Sequence, residues 1–232
     1  MLIRMKSDWN AISETFSAVN DHYDSVFPML CERLRQIQPQ KLLDYGCGDG
    51  LFAHFCSQLP IQEIVIFDNA PHMISLAKEK CSEHPHIRVE EKTQHLPSEN
   101  FDAVTFNAVW MCLSNHDDCV QTLKEVHRLL KINGYFFAAV THPCFRNFDY
   151  AACRTDFAIK DYSQDGLPFK TQLSRNGKSI QFTDYHWTMG AMSRQLKESG
   201  FVIEEIVEIP EKDAHDEFKP GIPWMIIFAK KV

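Results

Sequence analysis

A glycine-rich turn between a short apolar segment and a helix constrains this chain most. Residues 41–50 read Lys-Leu-Leu-Asp-Tyr-Gly-Cys-Gly-Asp-Gly, and residues 51–59 carry apolar side chains at helical spacing. Glycine accepts positive φ and lets a ligand approach the backbone closely. The first N–H groups of a helix also lack partners within the helix. The pattern therefore predicts a strand, a turn that can receive a ligand, and a helix.

The alternation of strand and helix patterns continues along the chain and predicts the fold class. The predicted strands are 41–44, 63–67, 87–90, 101–106, 135–140, 201–209 and 224–230, and the predicted helices are 51–59, 71–81, 119–130 and 188–199. Such alternation predicts an α/β fold with a doubly wound, seven-stranded, mostly parallel sheet. A Pro-rich connection before the last strand suits an antiparallel pair at the sheet edge. Ligands of such sheets bind beyond the carboxyl ends of the strands.

Two segments depart from this alternation. Residues 1–39 predict a helical segment before the first strand, and residues 143–187 show no sustained period. The second segment is rich in aromatic residues, which predict flat apolar walls around a small aromatic or hydrophobic ligand. The same aromatics also suit a satellite core or a homodimer contact. We expect one domain over residues 1–232, with 143–187 inserted as a structureless cap.

Composition narrows the class of protein. The chain is 44% hydrophobic and 24% charged, with a formal net charge of −7. The acidic balance argues against a nucleic-acid partner. The polar start and the absence of a long apolar run predict neither a secretory signal nor a membrane segment, which favours the cytoplasm. The eight cysteines form no C-x-x-C pair, so we expect reduced thiols and no metal site.

Two acidic residues indicate the kind of ligand. Asp68 ends the second predicted strand, where an acid can accept hydrogen bonds from ribose hydroxyls. Its alternative role is to cap the helix that begins at Pro71. Asp44 lies two residues before the first glycine of a G-x-G-x-G turn, unlike the G-x-G-x-x-G of dinucleotide sites. An acid at this place suits a cationic ligand better than a pyrophosphate.

With these features the chain resembles the class I S-adenosylmethionine-dependent methyltransferases that act on small molecules. Four stretches match in order, at residues 42–50, 67–74, 95–104 and 125–135. The resemblance covers residues 41–141 well and the final strands loosely. It implies S-adenosylmethionine as methyl donor and S-adenosylhomocysteine as product.

The resemblance also implies roles for individual residues around the glycine turn. Asp44 would lie near the amino group of the cofactor, and Gly46 and Gly48 would give access to the backbone. Asp68 would hold the ribose hydroxyls. These residues would together bind the methionine and ribose parts.

Further residues are implied at the adenine, the methyl group and the lid. Asn69 and Met73 would border the adenine, and Asn107 would face the methionine end or the transferred methyl group. Trp9-Asn10 resembles the N-terminal helical lid of small-molecule methyltransferases. Residues 1–39 are therefore expected to form a lid and residues 143–187 a substrate cap.

The chain departs from the family pattern beside the adenine. Where the family often has an acid three residues before His95, this chain has Lys92. Glu91, or backbone groups of Thr93 and Gln94, would then take over the adenine contact. Alternatively, the run Glu90–Lys92 is only a solvated surface segment.

Two histidines are candidates for acid/base work because the pKa of an unperturbed imidazole lies near neutrality. His142 follows the fifth predicted strand in Thr-His-Pro-Cys-Phe, and His186 precedes the next helix in Tyr-His-Trp-Thr. Each would accept a proton from the acceptor or orient it. Their structural alternatives are a turn before proline and an aromatic entry to a helix.

The sequence thus predicts methyl transfer from S-adenosylmethionine to an oxygen or nitrogen atom of a small, aromatic or hydrophobic acceptor. One alternative keeps the fold but makes RNA or protein the acceptor. Others are a non-catalytic S-adenosylmethionine-binding protein and an NAD-dependent oxidoreductase, the last disfavoured by the glycine spacing. Cofactor binding, turnover and an acceptor screen distinguish these four.

Overall fold

Helices and strands alternate through most of the chain. The computed structural model describes residues 7–19, 25–148, 150, 152–211 and 221–232. The helices are α1 (Trp9–Val19), α2 (Val26–Ile37), α3 (Leu51–Cys56), α4 (Pro71–Lys80), α5 (His116–Leu129) and α6 (Met189–Glu198). The strands are β1 (Lys41–Tyr45), β2 (Glu63–Phe67), β3 (Ile87–Val89), β4 (Phe101–Asn107), β5 (Leu130–Thr141), β6 (Cys153–Thr155), β7 (Leu167–Arg175), β8 (Lys178–His186), β9 (Phe201–Ile209) and β10 (Trp224–Lys231).

The predicted seven-stranded sheet is confirmed. Its strand order is β3-β2-β1-β4-β5-β10-β9. The first five strands in that order are parallel, and β10 runs antiparallel to both β5 and β9. The final pair therefore lies antiparallel at the sheet edge, as expected; most of its connection, residues 212–220, lies outside the described residues.

Successive residues of one strand fill the two cores, because side chains of a strand alternate between the faces of a sheet. Leu42 packs in the core that contains residues of α2, α3 and α4. Its neighbour Leu43 packs in the core that contains residues of α5 and α6. Both side chains are fully buried. Helices on both faces explain why β1 and β2 read as continuous apolar runs.

The expectation of a structureless cap is wrong. Within residues 143–187, β6, β7 and β8 form a separate antiparallel sheet in that order. In β7 the buried side is formed by Phe169, Thr171 and Leu173 at alternate positions. The polar Thr171 interrupts the apolar alternation, which hid the strand in the sequence.

The boundary between α5 and β5 also differs from the prediction. The strand was predicted to begin at residue 135, but β5 begins directly after Leu129 and includes Asn133-Gly134. Asn133 has φ of +64°, and a Cβ at Gly134 would lie 2.8 Å from the carbonyl oxygen of Lys131. The Asn-Gly pair therefore serves a tight bend at the start of the strand.

Helix α1 joins the cap to the main sheet. Its Trp9 ring lies 5.3 Å from the ring of Phe16 and 5.1 Å from that of Phe182 on β8. Just before the helix, Ser7 Oγ accepts a hydrogen bond of 2.8 Å from the backbone N–H of Thr183. The N-terminal segment therefore packs directly against the cap sheet formed by β6, β7 and β8.

Neither a membrane span nor a metal cluster occurs in the described part of the chain. None of its helices is long and apolar enough to cross a bilayer. No group of three or more His, Cys, Asp or Glu side chains in these residues is placed to hold a metal ion. The eight cysteines are all free thiols.

Candidate active site

A cavity of about 430 Å³ opens at the carboxyl ends of β1, β2 and β4, under α1 and the cap sheet. It lies where a doubly wound sheet is expected to receive its ligand. Residues predicted from the sequence that line it are Trp9, Asp44, Gly46, Gly48, Asp68, Asn69, Met73 and Asn107. The fold therefore brings almost the whole predicted cofactor set to one place.

The glycine turn packs against the end of β2. The backbone N–H groups of Gly46 and Cys47 both donate to the carbonyl of Phe67, at 2.7 and 2.9 Å. Gly46 has φ of +78°, and a Cβ there would overlap the Val109 side chain. A Cβ at Gly48 would meet no atom within 4 Å. The turn thus presents bare backbone to the cavity.

Asp44 is a buried carboxyl at the start of this turn. Its Oδ1 accepts hydrogen bonds from Thr105 Oγ1 at 2.8 Å and from Asn107 Nδ2 at 3.4 Å. Burial raises the pKa of Asp44 to about 7, against the opposing effect of the Thr105 hydrogen bond. A cationic ligand beside Asp44 would favour the ionised form of this carboxyl and lower its pKa.

Asp68 ties the glycine turn to the start of α4. Its two carboxylate oxygens accept from the N–H groups of Gly48 and Ala70, each at 2.9 Å. Burial raises the pKa of Asp68, and these backbone bonds oppose the increase. Ala70 is the N-cap residue of α4, and its own side chain makes no capping hydrogen bond. Each carboxylate oxygen can accept a second bond, which suits ribose hydroxyls.

The buried oxygen Asn107 Oδ1 has no hydrogen-bond partner among the described residues. Asn107 lines the cavity together with Asp44, to which its Nδ2 donates. Carboxylates and a free amide oxygen accept hydrogen bonds, which suits the ammonium and hydroxyl groups of a nucleoside that carries an amino acid. The acceptors at this end of the cavity therefore fit S-adenosylmethionine.

The cap contributes another carboxyl, Asp184 on β8. Its side chain is buried, and its Oδ2 accepts a hydrogen bond of 2.7 Å from Thr171 Oγ1. Its Oδ1 is buried with no hydrogen-bond partner in the described part of the chain. Burial raises the pKa of Asp184 to about 6, while the Thr171 bond and the charge of Arg146 lower it.

Cys112 links the two halves of the cavity. Burial raises the pKa of its thiol, and the next contributions come from the charges of Asp184 and Asp68. All three residues line the cavity. The charges of Asp184 in the cap and of Asp68, directly after β2, therefore both act on the thiol of Cys112.

The chain is similar to known methyltransferases. Residues 43–138 match the family model of a methyltransferase domain. The N-demethylindolmycin N-methyltransferase of Streptomyces griseus is 24% identical over 75% of this chain and 74% of its own. The malonyl-[acyl-carrier protein] O-methyltransferase 1 of Ilyobacter polytropus is 24% identical over 68% of this chain and 62% of its own.

A solved S-adenosylmethionine-dependent methyltransferase from Clostridium acetobutylicum has the same fold. It superposes with a TM-score of 0.68 at 14% identity, covering 95% of this chain and 96% of its own. Residues 43–138 therefore belong to the methyltransferase domain family, and the fold is that of S-adenosylmethionine-dependent methyltransferases.

In this methyltransferase, His142 is not among the described residues that line the cavity. Its Nε2 lies 2.8 Å from Glu208 Oε1, and its Nδ1 accepts from the N–H of Cys144 at 3.2 Å. Burial lowers the pKa of His142, and Glu208 opposes this. With both ring nitrogens engaged by the protein, this geometry does not support a base role, which stays a prediction.

His186 also lies apart from the cavity lining among the described residues. Its Nε2 lies 2.7 Å from the carbonyl oxygen of Tyr162, and its ring stacks on Phe157 at 4.4 Å. Burial lowers the pKa of His186 to about 4. The methyltransferase therefore holds a neutral imidazole inside the cap, and the base role again stays a prediction.

The adenine contact expected of the segment around Lys92 is not seen in the lining. Thr93 is buried outside the described cavity lining, and its carbonyl accepts from Arg128 Nη2 at 3.1 Å. Lys92 and Glu91 are exposed, and Glu91 pairs with Lys78 at 3.4 Å. The cofactor role of Thr93 stays a prediction without support from its position.

The cap aromatics pack mainly with each other. Of those that the sequence suggested as cavity walls, Phe182 alone is among the described lining residues. The remaining aromatic walls come from elsewhere in the methyltransferase: Trp9, Phe16, Phe27, Tyr45, Phe52, Phe67 and Trp224. Asp184 was not predicted from the sequence. It is the single acid in the otherwise uncharged run Phe182–Trp187, and this pattern could have drawn attention to it.

Proposed function

We propose that this methyltransferase transfers the methyl group of S-adenosylmethionine to a nitrogen or oxygen atom of a small acceptor held under the cap. The observation that carries the proposal is one continuous cavity. It is lined at one end by the glycine turn and Asp68, and at the other by cap residues Thr171, Phe182 and Asp184. The cofactor would occupy the first end and the acceptor the second.

The residues at the cofactor end would each bind a different part of the ligand. Asp44 and Asn107 would hold its amino acid part, and the paired acceptors of Asp68 its ribose. Asn69 and Met73, at the start of α4, would border the adenine. The bound donor supplies a methyl group that the sulfonium has already activated. The protein therefore mainly orients the two substrates and excludes water.

A small acceptor is supported by the size and cover of the cavity. Its volume of about 430 Å³ is in the range of small-molecule sites. Asn10 Oδ1 on α1 accepts from the N–H of His72 on α4 at 3.0 Å, which holds the N-terminal helix over the site. One relative is an N-methyltransferase and the other an O-methyltransferase, so both acceptor atoms stay open here.

Calorimetric titration and an acceptor screen test the proposal. We expect one-site binding of S-adenosylmethionine and S-adenosylhomocysteine and no binding of NAD. A screen of amines, alcohols and phenols should then yield S-adenosylhomocysteine with at least one small acceptor. A folded protein that binds neither adenosyl ligand would contradict the proposal, and binding without any turnover would favour a non-catalytic cofactor-binding protein.

A further inference from the structure

We propose that the acceptor is a small amine, and that Asp184 binds its nitrogen and receives the proton that the nitrogen must lose. This inference rests on the proposed methyl transfer and narrows its acceptor to one chemical class. It follows from the charges of the cavity, from its unsatisfied polar atoms and from the surroundings of Asp184.

The charged side chains in the described lining of the cavity are all acidic. Its lining includes the carboxyl side chains of Asp8, Asp44, Asp68 and Asp184. No lysine, arginine or histidine occurs among the described lining residues. An anionic acceptor would meet only like charges in a partly enclosed space, where electrostatic interactions are strong. The lining therefore favours a cationic acceptor and disfavours a carboxylate or phosphate.

Three of the four carboxyls have another explanation. Asp44 and Asp68 lie at the cofactor end, beside the glycine turn. Asp8 is exposed, and its Oδ1 accepts from the N–H groups of Asn10 and Ala11 at 3.1 and 3.3 Å, so it caps α1. Asp184 has neither role. It is 3% exposed, and a carboxyl buried at a cavity wall without a full set of partners calls for a ligand.

The unsatisfied atoms of the lining are acceptors of hydrogen bonds. Asp184 Oδ1, Asn107 Oδ1 and Thr141 Oγ1 are buried without hydrogen-bond partners among the described residues. The Asp184 carboxylate oxygen and the Asn107 amide oxygen only accept hydrogen bonds, and the Thr141 hydroxyl can accept or donate. Asn107 Oδ1 lies at the cofactor end, so a ligand at the acceptor end must bring a donor for Asp184 Oδ1 and can bring another for Thr141 Oγ1. An amine or ammonium group has two or three N–H bonds, whereas an alcohol has a single O–H.

The charge of a buried arginine, Arg146, acts on Asp184. It is 4% exposed and lies outside the described lining of the cavity. Its Nη2 donates to the carbonyl of Thr141 at 3.3 Å, and its guanidinium lies 4.7 Å from the ring centroid of Phe169. Its charge favours the ionised form of Asp184. The arginine thus keeps a carboxylate available in the cap.

The chemistry balances with this assignment. An amine bound as its ammonium ion gives one proton to the Asp184 carboxylate, which passes it to solvent. The nitrogen lone pair then forms the bond to the methyl carbon, while the sulfur–carbon bond breaks and its electron pair stays on sulfur. The product leaves as a methylated ammonium ion. A base in contact with the nitrogen assists only the first of these events.

Binding to the protein loaded with S-adenosylhomocysteine tests the inference without turnover. The probes are two matched sets, 2-phenylethylamine, 2-phenylethanol and 3-phenylpropionate, and hexylamine, hexanol and hexanoate. At about pH 8 the carboxyl is ionised and an aliphatic amine is protonated. We expect the amine of at least one set to bind at least about tenfold more tightly than its alcohol and its acid.

The variant Asp184→Asn should remove this preference and leave the affinity for S-adenosylhomocysteine unchanged. Asp161→Asn, a partly exposed carboxyl of the cap outside the described cavity lining, is the matched control and should keep it. Asp184→Ser repeats the test if the asparagine variant does not fold, and circular dichroism checks both.

Three results would overturn the inference: equal binding of amine and acid, an amine preference that survives the loss of the Asp184 carboxyl, or no amine binding by a protein that binds S-adenosylhomocysteine. If the wild-type protein bound no S-adenosylhomocysteine, the proposed function itself would fail.

Discussion

Ser17 Oγ on α1 donates a hydrogen bond of 2.5 Å to Asp49 Oδ2 in the glycine turn. Asp49 is fully buried and also pairs with Lys80 at the end of α4. The N-terminal helix is thereby joined to the backbone segment expected to hold the cofactor. Lid position and cofactor binding should therefore be coupled.

Removing this hydroxyl should weaken cofactor binding. Ser17→Ala deletes one hydrogen bond to a buried carboxylate, about 1 kcal/mol, so the Kd for S-adenosylhomocysteine should rise about fivefold. Calorimetry measures the affinity, and hydrogen exchange should report faster exchange in α1. Ser75→Ala, an exposed serine of α4, is the control. Unchanged affinity and exchange in Ser17→Ala would show that the bond does not hold the lid.

Loss of the Asp68 carboxyl, directly after β2, should weaken cofactor binding more. Asp68→Ala removes the proposed ribose acceptor and frees the N–H groups of Gly48 and Ala70. We expect cofactor binding to weaken by about 1–3 kcal/mol, the range for a lost buried hydrogen-bond partner. Asp117→Ala, an exposed acid on α5, should bind normally. Equal affinities of the two variants would remove Asp68 from the site.

Cofactor affinity should increase with pH through neutrality. Burial raises the pKa of Asp44 from 3.8 to about 7, so the folded protein retains a proton that the unfolded chain loses at lower pH. Ionising Asp44 therefore lowers folding stability as pH rises from about 4 to 7, and this destabilisation persists above that range. A cationic ligand favours the ionised form, so binding should release a proton below pH 7.

Calorimetry between pH 5.5 and 8.5, in buffers of different ionisation enthalpy, checks this pH dependence. Asp44→Asn should remove the part of the dependence that centres near 7, leaving what Asp68 and the ligand contribute. A wild-type affinity that is flat across this range would contradict the assignment of Asp44 to the amino group of the cofactor.

His142 should prove more important for stability than for turnover. Its imidazole is buried and bonded to Glu208 and to the N–H of Cys144. His142→Ala should lower the free energy of unfolding by about 1–3 kcal/mol, because a buried side chain is removed and the N–H of Cys144 loses its acceptor. Thermal denaturation and kcat with the identified acceptor decide the matter. Normal stability with a large loss of kcat would restore the base role.

Sequence patterns located the elements of the main sheet well. The bounds of β2 and β9 agree fully with the prediction, and those of β1 and β4 differ by one residue at one end. These strands are bounded by turn residues and filled with apolar side chains, which are local signals. The cap strands were missed because they alternate polar and apolar residues irregularly around Thr171. Their pairing depends on contacts distant in sequence.

For the site, the sequence determined the residues at the carboxyl ends of strands of the parallel sheet, since the topology of such a sheet brings these ends together. Asp44, Asp68 and Asn107 are of this kind, and all line one cavity. Only the tertiary structure decided which cap side chains reach that cavity. It places Asp184 in the lining and leaves His142 and His186 outside the described lining. The orientation of a residue in an inserted sheet depends on strand register and on packing against α1, and no local sequence pattern encodes these.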